Sequence, residues 1–314
     1  MRHPSFPKIH FWHSLRTNPR WRLAALVCLG LLLASFGNAE AVIKTSAEIG
    51  RVAAPTETLI FVVSGDSPAE MGMDAVVIAE GGKLKAPYPA YDEAAQQRFA
   101  KEYFRREQKY RLTFGGGDAG TATVTKSDKG CNNIHATITA STSAHLGGEV
   151  KALATNSDSL GRRGSARRTP TPAERSAVMT LVKKIYRQHG VTPLQYRSLK
   201  VTNLAATDLD GDGKYELIGS FTLATKTKAE RDLFLIAKSQ GAGMSADFAK
   251  FQAYQPPPEG FLSGIDFVDQ LDLDGDGTGE VFATQGGFDA YGHLIFKKVG
   301  GHWRQVYSGM GDAC

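Results

Sequence analysis

The sequence of 314 residues is short of several features, and each shortage excludes a class of protein. It has three cysteines, too few for a small scaffold held together by many disulfide bonds. Its longest apolar run, residues 23–36, falls short of the roughly 20 residues that span a membrane. Hydrophobic residues make up 42% of the chain, which excludes a disordered or collagen-like protein. A length of this order predicts two domains with real cores.

The first 41 residues have the composition of a secretory signal peptide. Residues 1–22 contain five basic side chains and no acid, the apolar run follows, and small residues surround a cleavage point near Ala41. This order of basic, apolar and small residues is typical of a segment removed on export. We expect residues 1–41 to be a signal peptide and the mature chain to be periplasmic or secreted, with no integral membrane span. An uncleaved anchor is the alternative.

The net charge of +5 is mostly a property of this segment. The segment contains five basic residues and Glu40, so its removal leaves 32 Lys+Arg, 31 Asp+Glu and a net charge of +1. A basic surface is the usual reason to expect a nucleic acid partner. Because the mature chain is nearly neutral, we expect no nucleic acid partner.

Export also changes the interpretation of the cysteines. Cys28 lies in the predicted signal peptide, which leaves Cys131 and Cys314. Two cysteines in an oxidising compartment often pair, and closing so long a loop would add up to about 5 kcal/mol. We predict a Cys131–Cys314 disulfide, with two free thiols or an intermolecular pair as the alternatives.

The mature chain divides by composition into three parts. Residues 42–155 mix β-branched strands, such as 58–63, with a predicted helix at 92–108 and indicate an α+β domain. Residues 156–171 are rich in Ser, Gly and Arg and predict a solvated interdomain linker. The arginines there could instead form a recognition loop, but no aromatic residues accompany them. They are Arg162, Arg163, Arg167 and Arg168.

The last part, residues 172–314, opens with a helix. Thr171 and Glu174 have the spacing of a capping box, with Pro172 at the first helical position. Val178, Leu181, Val182 and Ile185 form a helical apolar stripe, which we expect to pack across the sheet that follows.

The strongest signal in the sequence is a repeated acidic hexapeptide. Asp-Leu-Asp-Gly-Asp-Gly at 208–213 recurs 64 residues later at 272–277, and each copy has a glutamate three residues further on. Each copy then continues into an apolar strand. A repeat of this period predicts one supersecondary unit used twice. Two solvated Asp-Gly turns are the alternative.

The spacing predicts a calcium site in each copy. Carboxylates at positions 1, 3 and 5 of a turn converge, and Ca²⁺ takes six to eight oxygen ligands, whereas Mg²⁺ prefers smaller, more hydrated sites. An EF-hand is excluded because its twelfth position falls on Gly219 and Ala283. The predicted ligands are Asp208, Asp210, Asp212, the carbonyl of Lys214 and Glu216, then Asp272, Asp274, Asp276, the carbonyl of Thr278 and Glu280.

The segments DLDGDGKYELI and DLDGDGTGEVF resemble the calcium loops of FG-GAP/VCBS repeats, found in bacterial exported proteins and in integrin α subunits. The resemblance covers the chain from about Thr192 onwards, and it implies loops that brace blade-like antiparallel sheets, often in adhesion or ligand-binding proteins. Two units cannot close a propeller, which needs at least about four blades. We therefore expect an α+β protein: a mixed N-terminal domain, then a helix packed on two blade-like antiparallel β-sheet repeats with calcium loops.

The loops suggest a non-enzymatic role. The dense polar groups are metal loops saturated by protein ligands, so we expect two bound calcium ions and a structural or interaction function. The partner could be a protein or a glycan, and the aromatic loop at 286–292 is the candidate surface. The alternative is a serine hydrolase, because Ser67 ends a Gly-Asp-Ser motif like that of GDSL-type esterases. The Asp-x-x-His that such enzymes require is missing from the sequence. The five histidines of the mature chain show no metal-ligand spacing, which predicts surface or hydrogen-bonded core positions.

Overall fold

The computed structural model describes residues 57–161, 164–224, 230–241, 243–254, 262–287 and 290–313. The predicted signal peptide, Arg162, Arg163 and Cys314 lie outside these residues. The described residues belong to one compact unit. Strands account for 58% of them and helices for 14%.

Seven strands form the N-terminal part of this unit. They are β1 (Thr58–Ser67), β2 (Glu70–Glu80), β3 (Lys83–Lys85), β4 (Lys109–Phe114), β5 (Gly117–Lys129), β6 (Ile134–Thr142) and β7 (Ala152–Thr155). Six of them close a barrel in the order β1-β7-β4-β5-β6-β2, because β2 also pairs with β1. β3 extends the sheet from β2. All of these pairings are antiparallel.

The barrel is filled by side chains that alternate along its strands. Phe61 and Val63 of β1 point into a core that also contains Leu112 of β4. Helix α1 (Glu93–Tyr103) contributes Phe99 to the same core, and the carboxylate of Asp92 caps the helix by accepting a hydrogen bond from the Ala95 amide at 2.9 Å. The barrel is therefore a packed core rather than an open channel.

Two further antiparallel sheets follow in the sequence. The first sheet has the order β12-β11-β10-β9-β8 and the second has the order β13-β14-β15-β16. The strands of the first sheet are β8 (Arg167–Arg168), β9 (Leu199–Thr207), β10 (Glu216–Ala224), β11 (Glu230–Gln240) and β12 (Gly243–Tyr254). Those of the second sheet are β13 (Leu262–Leu271), β14 (Glu280–Gly287), β15 (Ala290–Val299) and β16 (His302–Ala313).

The second sheet is buried on both faces along β13, β14 and β15. On β14, Val281 and Ala283 pack with Ile218 of the first sheet, whereas Phe282 points the other way and packs with Val62 of the barrel. Because successive side chains of a strand point to opposite faces, this alternation places the second sheet between the barrel and the first sheet. Burial on both faces also explains why β14 begins with five buried residues in a row.

Helix α2 (Pro172–Gln188) covers the outer face of the first sheet. The capping box at its start is present, with the Glu174 amide donating to the Thr171 hydroxyl at 3.2 Å. Val182 and Tyr186 share a core cluster with Phe221 of β10. The Tyr186 hydroxyl also donates to the Phe221 carbonyl at 2.8 Å, which fixes the helix on the sheet. A 3-10 helix (Pro193–Ser198) then leads into β9.

The predicted α+β class is wrong, because the protein is mostly β. The core between the two sheets is made by strand residues such as Phe234 and Phe296, whose rings stack with centroids 5.3 Å apart. Segments that carry no strong sequence signal form long hairpins, such as β11 and β12 with 11 and 12 residues. Two α-helices and one 3-10 helix are the helical elements among the described residues, and the architecture is a barrel plus two stacked sheets.

Arg167 lies in the segment for which we predict a solvated linker, but its side chain is only 8% exposed. Its guanidinium donates to the Val268 carbonyl at 2.6 Å and lies 3.3 Å from the Asp269 carboxylate. It also lies over the rings of Phe114 and Phe267. The segment therefore places the Arg167 side chain at the contact between the barrel and the second sheet.

No helix among the described residues is both long and apolar enough to cross a membrane.

Candidate functional site

The two repeated hexapeptides form matching turns in the two sheets. The first acidic loop, residues 208–216, joins β9 to β10, and the second acidic loop, residues 272–280, joins β13 to β14. Gly211 and Gly275 have φ angles of 72° and 75°, which residues with a Cβ rarely adopt. The glycine at the fourth position of each hexapeptide therefore lets the chain fold back around the aspartates.

The aspartates of each loop converge. One carboxylate oxygen from each of Asp208, Asp210 and Asp212 lies within 4.8 Å of the others, and the same holds for Asp272, Asp274 and Asp276. Both triads could hold a metal ion. Three carboxylates this close repel each other, and a cation between them relieves the repulsion.

The first aspartate of each triad organises its loop through backbone amides. The two oxygens of Asp208 accept hydrogen bonds from the amides of Gly211 and Gly213, both at 2.9 Å. Asp272 accepts equivalent bonds at 2.8 and 3.0 Å. The turns are thus built by contacts within the hexapeptide, which is why two copies of one sequence adopt the same shape.

The glutamates stand at the base of the loops. One oxygen of Glu216 accepts from the Leu209 amide at 3.0 Å, and one oxygen of Glu280 accepts from the Leu273 amide at 2.7 Å. They are not members of the convergent triads. Burial raises the pKa of Glu216 to about 7, against the opposing effect of its backbone hydrogen bond. Burial also raises the pKa of Glu280.

Lys214 and Thr278 occupy the seventh position, for which we predict a carbonyl ligand. Their amides donate to the carboxylates of Asp212 and Asp276 at 2.7 and 2.8 Å. The Lys214 ammonium also lies 2.8 Å from Asp212, but its side chain is 74% exposed. Exposed pairs of this kind contribute little energy.

The second loop has a cationic neighbour that the sequence did not reveal. The Lys297 ammonium on β15 lies 2.7 Å from Asp274, 3.1 Å from Asp276 and 2.6 Å from Glu280. Burial lowers the pKa of Lys297, but the hydrogen bonds that its ammonium donates to these three carboxylates outweigh that effect and raise the pKa. Lys297 reaches the loop because β15 pairs with β14, and the sequence alone does not reveal this pairing.

The two loops touch each other. The Gly279 amide in the second loop donates to the Leu209 carbonyl in the first at 2.7 Å. Gln270 bridges them to the barrel, since its side-chain amide donates to the carbonyls of Gly115 and Asp208 at 3.1 and 3.3 Å. A cavity of about 180 Å³ lies between the loops and the Gly115 turn.

A larger cleft lies beside the second loop. Its volume is about 460 Å³, and its walls include Leu84 from β3, Leu273 from the loop and Glu80 from the end of β2. Lys297 and Glu280 form part of the polar side.

The other candidate residues are not brought into this region. Ser67 is exposed at the end of β1, where its hydroxyl accepts a hydrogen bond from the Ala69 amide at 3.3 Å. The aromatic loop at 286–292 is partly outside the described residues. Its Tyr291 is half-buried and donates to Asp74 of the barrel at 3.0 Å. This tyrosine therefore contributes to packing between the barrel and the second sheet.

His293 departs from the expectation that the histidines are exposed or hydrogen-bonded. Its side chain is 1% exposed, and neither ring nitrogen has a hydrogen-bond partner. Burial lowers its pKa to about 4, and the nearby Lys151 adds to the effect. The sequence pattern does not distinguish this histidine from the others, because its burial depends on the barrel lying against the second sheet.

The fold and the loops together define a β-rich protein with two adjacent acidic turns that could each hold a metal ion. Comparison of the chain with protein-family models, with curated proteins and with solved structures finds no match.

Proposed function

We propose that this is an exported calcium-binding protein with a structural or interaction role, in which the two acidic loops stabilise the β-rich unit. The observation that carries the proposal is the convergence of three aspartates in each of two identical turns. The resemblance of both loops to FG-GAP/VCBS repeats points in the same direction. Export is supported by the composition of residues 1–41.

The donor set favours calcium over other metals. Each triad offers carboxylate oxygens and contains no histidine or cysteine, which suits a hard cation. Glu216 and Glu280 stand next to the triads and can complete the oxygen ligands. Ca²⁺ accepts six to eight oxygens in flexible geometry, whereas Mg²⁺ demands a compact octahedron and keeps more of its water.

The position of the loops explains how calcium would act. Each loop joins two strands of one sheet, and the loops are hydrogen-bonded to each other and linked through Gln270 to the barrel. An ion that neutralises the carboxylates removes repulsion at the place where the barrel and the two sheets meet. At 100 times its dissociation constant, each ion would add about 2.7 kcal/mol of stability.

The test is a thermal melt of the exported protein in calcium, in EDTA and in magnesium. Calcium should raise the melting temperature by several degrees over EDTA, and magnesium should raise it less. Asp210→Asn and Asp274→Asn should each remove part of the increase. Asp66→Asn, at an exposed aspartate outside the loops, is the matched control and should retain the full increase. Identical melts in calcium and in EDTA would rule the proposal out.

A further inference from the structure

The two acidic loops share one hexapeptide but have different cationic neighbours. In the second loop the Lys297 ammonium lies within 3.1 Å of three carboxylates, those of Asp274, Asp276 and Glu280. These carboxylates belong to the predicted ligand set of that loop. Lys297 comes from another strand, so its position depends on the sheet and not on the loop.

A lysine stands at the matching position beside the first loop, but its ammonium forms an ion pair with a carboxylate outside that loop. Strand pairing places Leu217 opposite Ala237 and Val281 opposite Phe296, so Lys238 stands beside Glu216 as Lys297 stands beside Glu280. The Lys238 ammonium pairs instead with Asp247 of β12 at 2.5 Å.

Asp247 is itself held in place by its neighbours. It accepts from the Trp303 indole at 2.9 Å and lies 3.2 Å from the Lys298 ammonium. The second sheet therefore supplies groups that orient Asp247, the carboxylate with which Lys238 forms its ion pair.

This difference changes the cost of admitting a metal ion. A divalent ion entering the first loop displaces at most the exposed Lys214 from one carboxylate. An ion entering the second loop must break three charge-assisted contacts to Lys297, and the one to Glu280 is buried. The cleft of about 460 Å³ beside the loop gives the displaced ammonium space.

We infer that Lys297 is a built-in competitor for metal in the second loop, so that the protein binds one divalent ion tightly in the first loop and a second one only weakly. The inference rests on the proposed metal binding and adds the order in which the two loops bind their ions. Lys297 holds the second loop in shape when calcium is scarce, and the second ion binds only when calcium is abundant.

Calorimetric titration of the exported protein with calcium tests this order. The wild type should show two steps with dissociation constants at least about tenfold apart. Asp210→Asn should remove the tight step and Asp274→Asn the weak one. Lys297→Met should tighten the weak step by about tenfold or more, because the competing ammonium is gone. Lys238→Met is the matched control and should leave both steps within about twofold.

The outcomes separate the inference from the proposed function. Two equal sites in the wild type that Lys297→Met leaves unchanged would overturn the inference and keep calcium binding. No binding heat in the wild type or in any variant would overturn both. If Lys297→Met does not fold, the Asp210→Asn and Asp274→Asn titrations still decide, because loss of the tight step in Asp274→Asn contradicts the assigned order.

Discussion

The amide nitrogen of Gly279 in the second acidic loop donates a hydrogen bond of 2.7 Å to the carbonyl oxygen of Leu209 in the first. Two loops that are 64 residues apart in sequence are thereby in direct contact. The Gln270 side chain lies beside this contact and donates to the Gly115 carbonyl, the Thr207 hydroxyl and the Asp208 carbonyl. The loops form one region rather than two isolated turns.

The close approach at Gly279 predicts a sensitive position. A Cβ at Gly279 would collide with the side chain of Gln270, so Gly279→Ala should cost about 1–3 kcal/mol of unfolding free energy in urea. Gly286→Ala lies on β14, the strand that follows the loop, with open space around the added carbon, and is the control. It should change stability by less than about 0.5 kcal/mol. Equal effects of the two substitutions would contradict the proposed packing of Gln270.

The buried histidine predicts that stability falls in acid. The pKa of His293 is about 4 in the folded protein and 6.5 is its ordinary value, so the unfolded chain takes up a proton first as the pH falls. Stability is therefore complete above pH 6.5 and is lost between pH 6.5 and 4, by about 3 kcal/mol from this residue. Urea unfolding at pH 7.5, 5.5 and 4.5 measures the loss.

His293→Leu should reduce the fall in stability between pH 6.5 and 4.5, because leucine does not titrate and needs no hydrogen bond. The same substitution at the exposed His302 is the control and should keep the pH dependence of the wild type. If His293→Leu lost stability with acid as steeply as the wild type, the loss would have to come from other groups.

The buried pair of Arg167 and Asp269 predicts that removing one charge destabilises the protein strongly, because the other charge is left buried without its partner. Asp269 is fully buried and accepts two hydrogen bonds from the Gly115 amide, at 2.8 and 3.0 Å, besides its contact with Arg167. Burial raises the pKa of Asp269 to about 6, and the nearby Arg167 opposes the rise. Asp269→Asn leaves the arginine buried without a charge partner and should cost about 3–5 kcal/mol of unfolding free energy.

A double-mutant cycle separates the pair from its surroundings. Asp269→Asn combined with Arg167→Met should cost less than the sum of the single substitutions, because the double variant leaves no unpaired charge. The measurement is urea unfolding at pH 7.5. Additive effects would show that the two side chains act independently, against the 3.3 Å contact between them.

The Cys131–Cys314 disulfide stays a prediction, because Cys314 lies outside the described residues. The Asp312 carboxylate accepts from the amides of Cys131 and Asn132 at 3.0 and 2.7 Å, and the Asn132 side chain donates to the Ala313 carbonyl. These contacts place the residue before Cys314 beside Cys131. If residues 1–41 are removed on export, the protein should show no free thiol when denatured and two after reduction. Two thiols titrating without reductant would show that the bridge does not form.

Local features were predictable because they depend on neighbouring residues. The capping box at Thr171 and Glu174 forms as the sequence predicts, and its hydrogen bond spans three residues. The convergence of each aspartate triad is also visible in the sequence, since the bonds that shape the first loop join residues five or fewer positions apart. The assignment of calcium to these loops stays a prediction that the titrations above can decide.

The fold class was not predictable from such local patterns. Apolar residues in β13 to β15 are buried on both faces of the second sheet, so the alternation of apolar and polar residues that identifies a strand is weakened there. Barrel closure depends on β1 pairing with β7 and β2 at once, which involves residues nearly 100 positions apart. No local signal specifies such a pairing.

The sequence by itself determined the two acidic turns, because the glycine amides of each hexapeptide donate hydrogen bonds to its first aspartate carboxylate. Only the tertiary structure decided how the turns differ. It brings Lys297 into the second loop and holds Lys238 on Asp247, although strand pairing places both lysines beside the glutamate of their loop. Strand pairing sets these positions, and an ammonium group goes to whichever carboxylates the packed sheets bring within reach. The two loops share one hexapeptide, but they therefore differ in the charged groups that surround their aspartates.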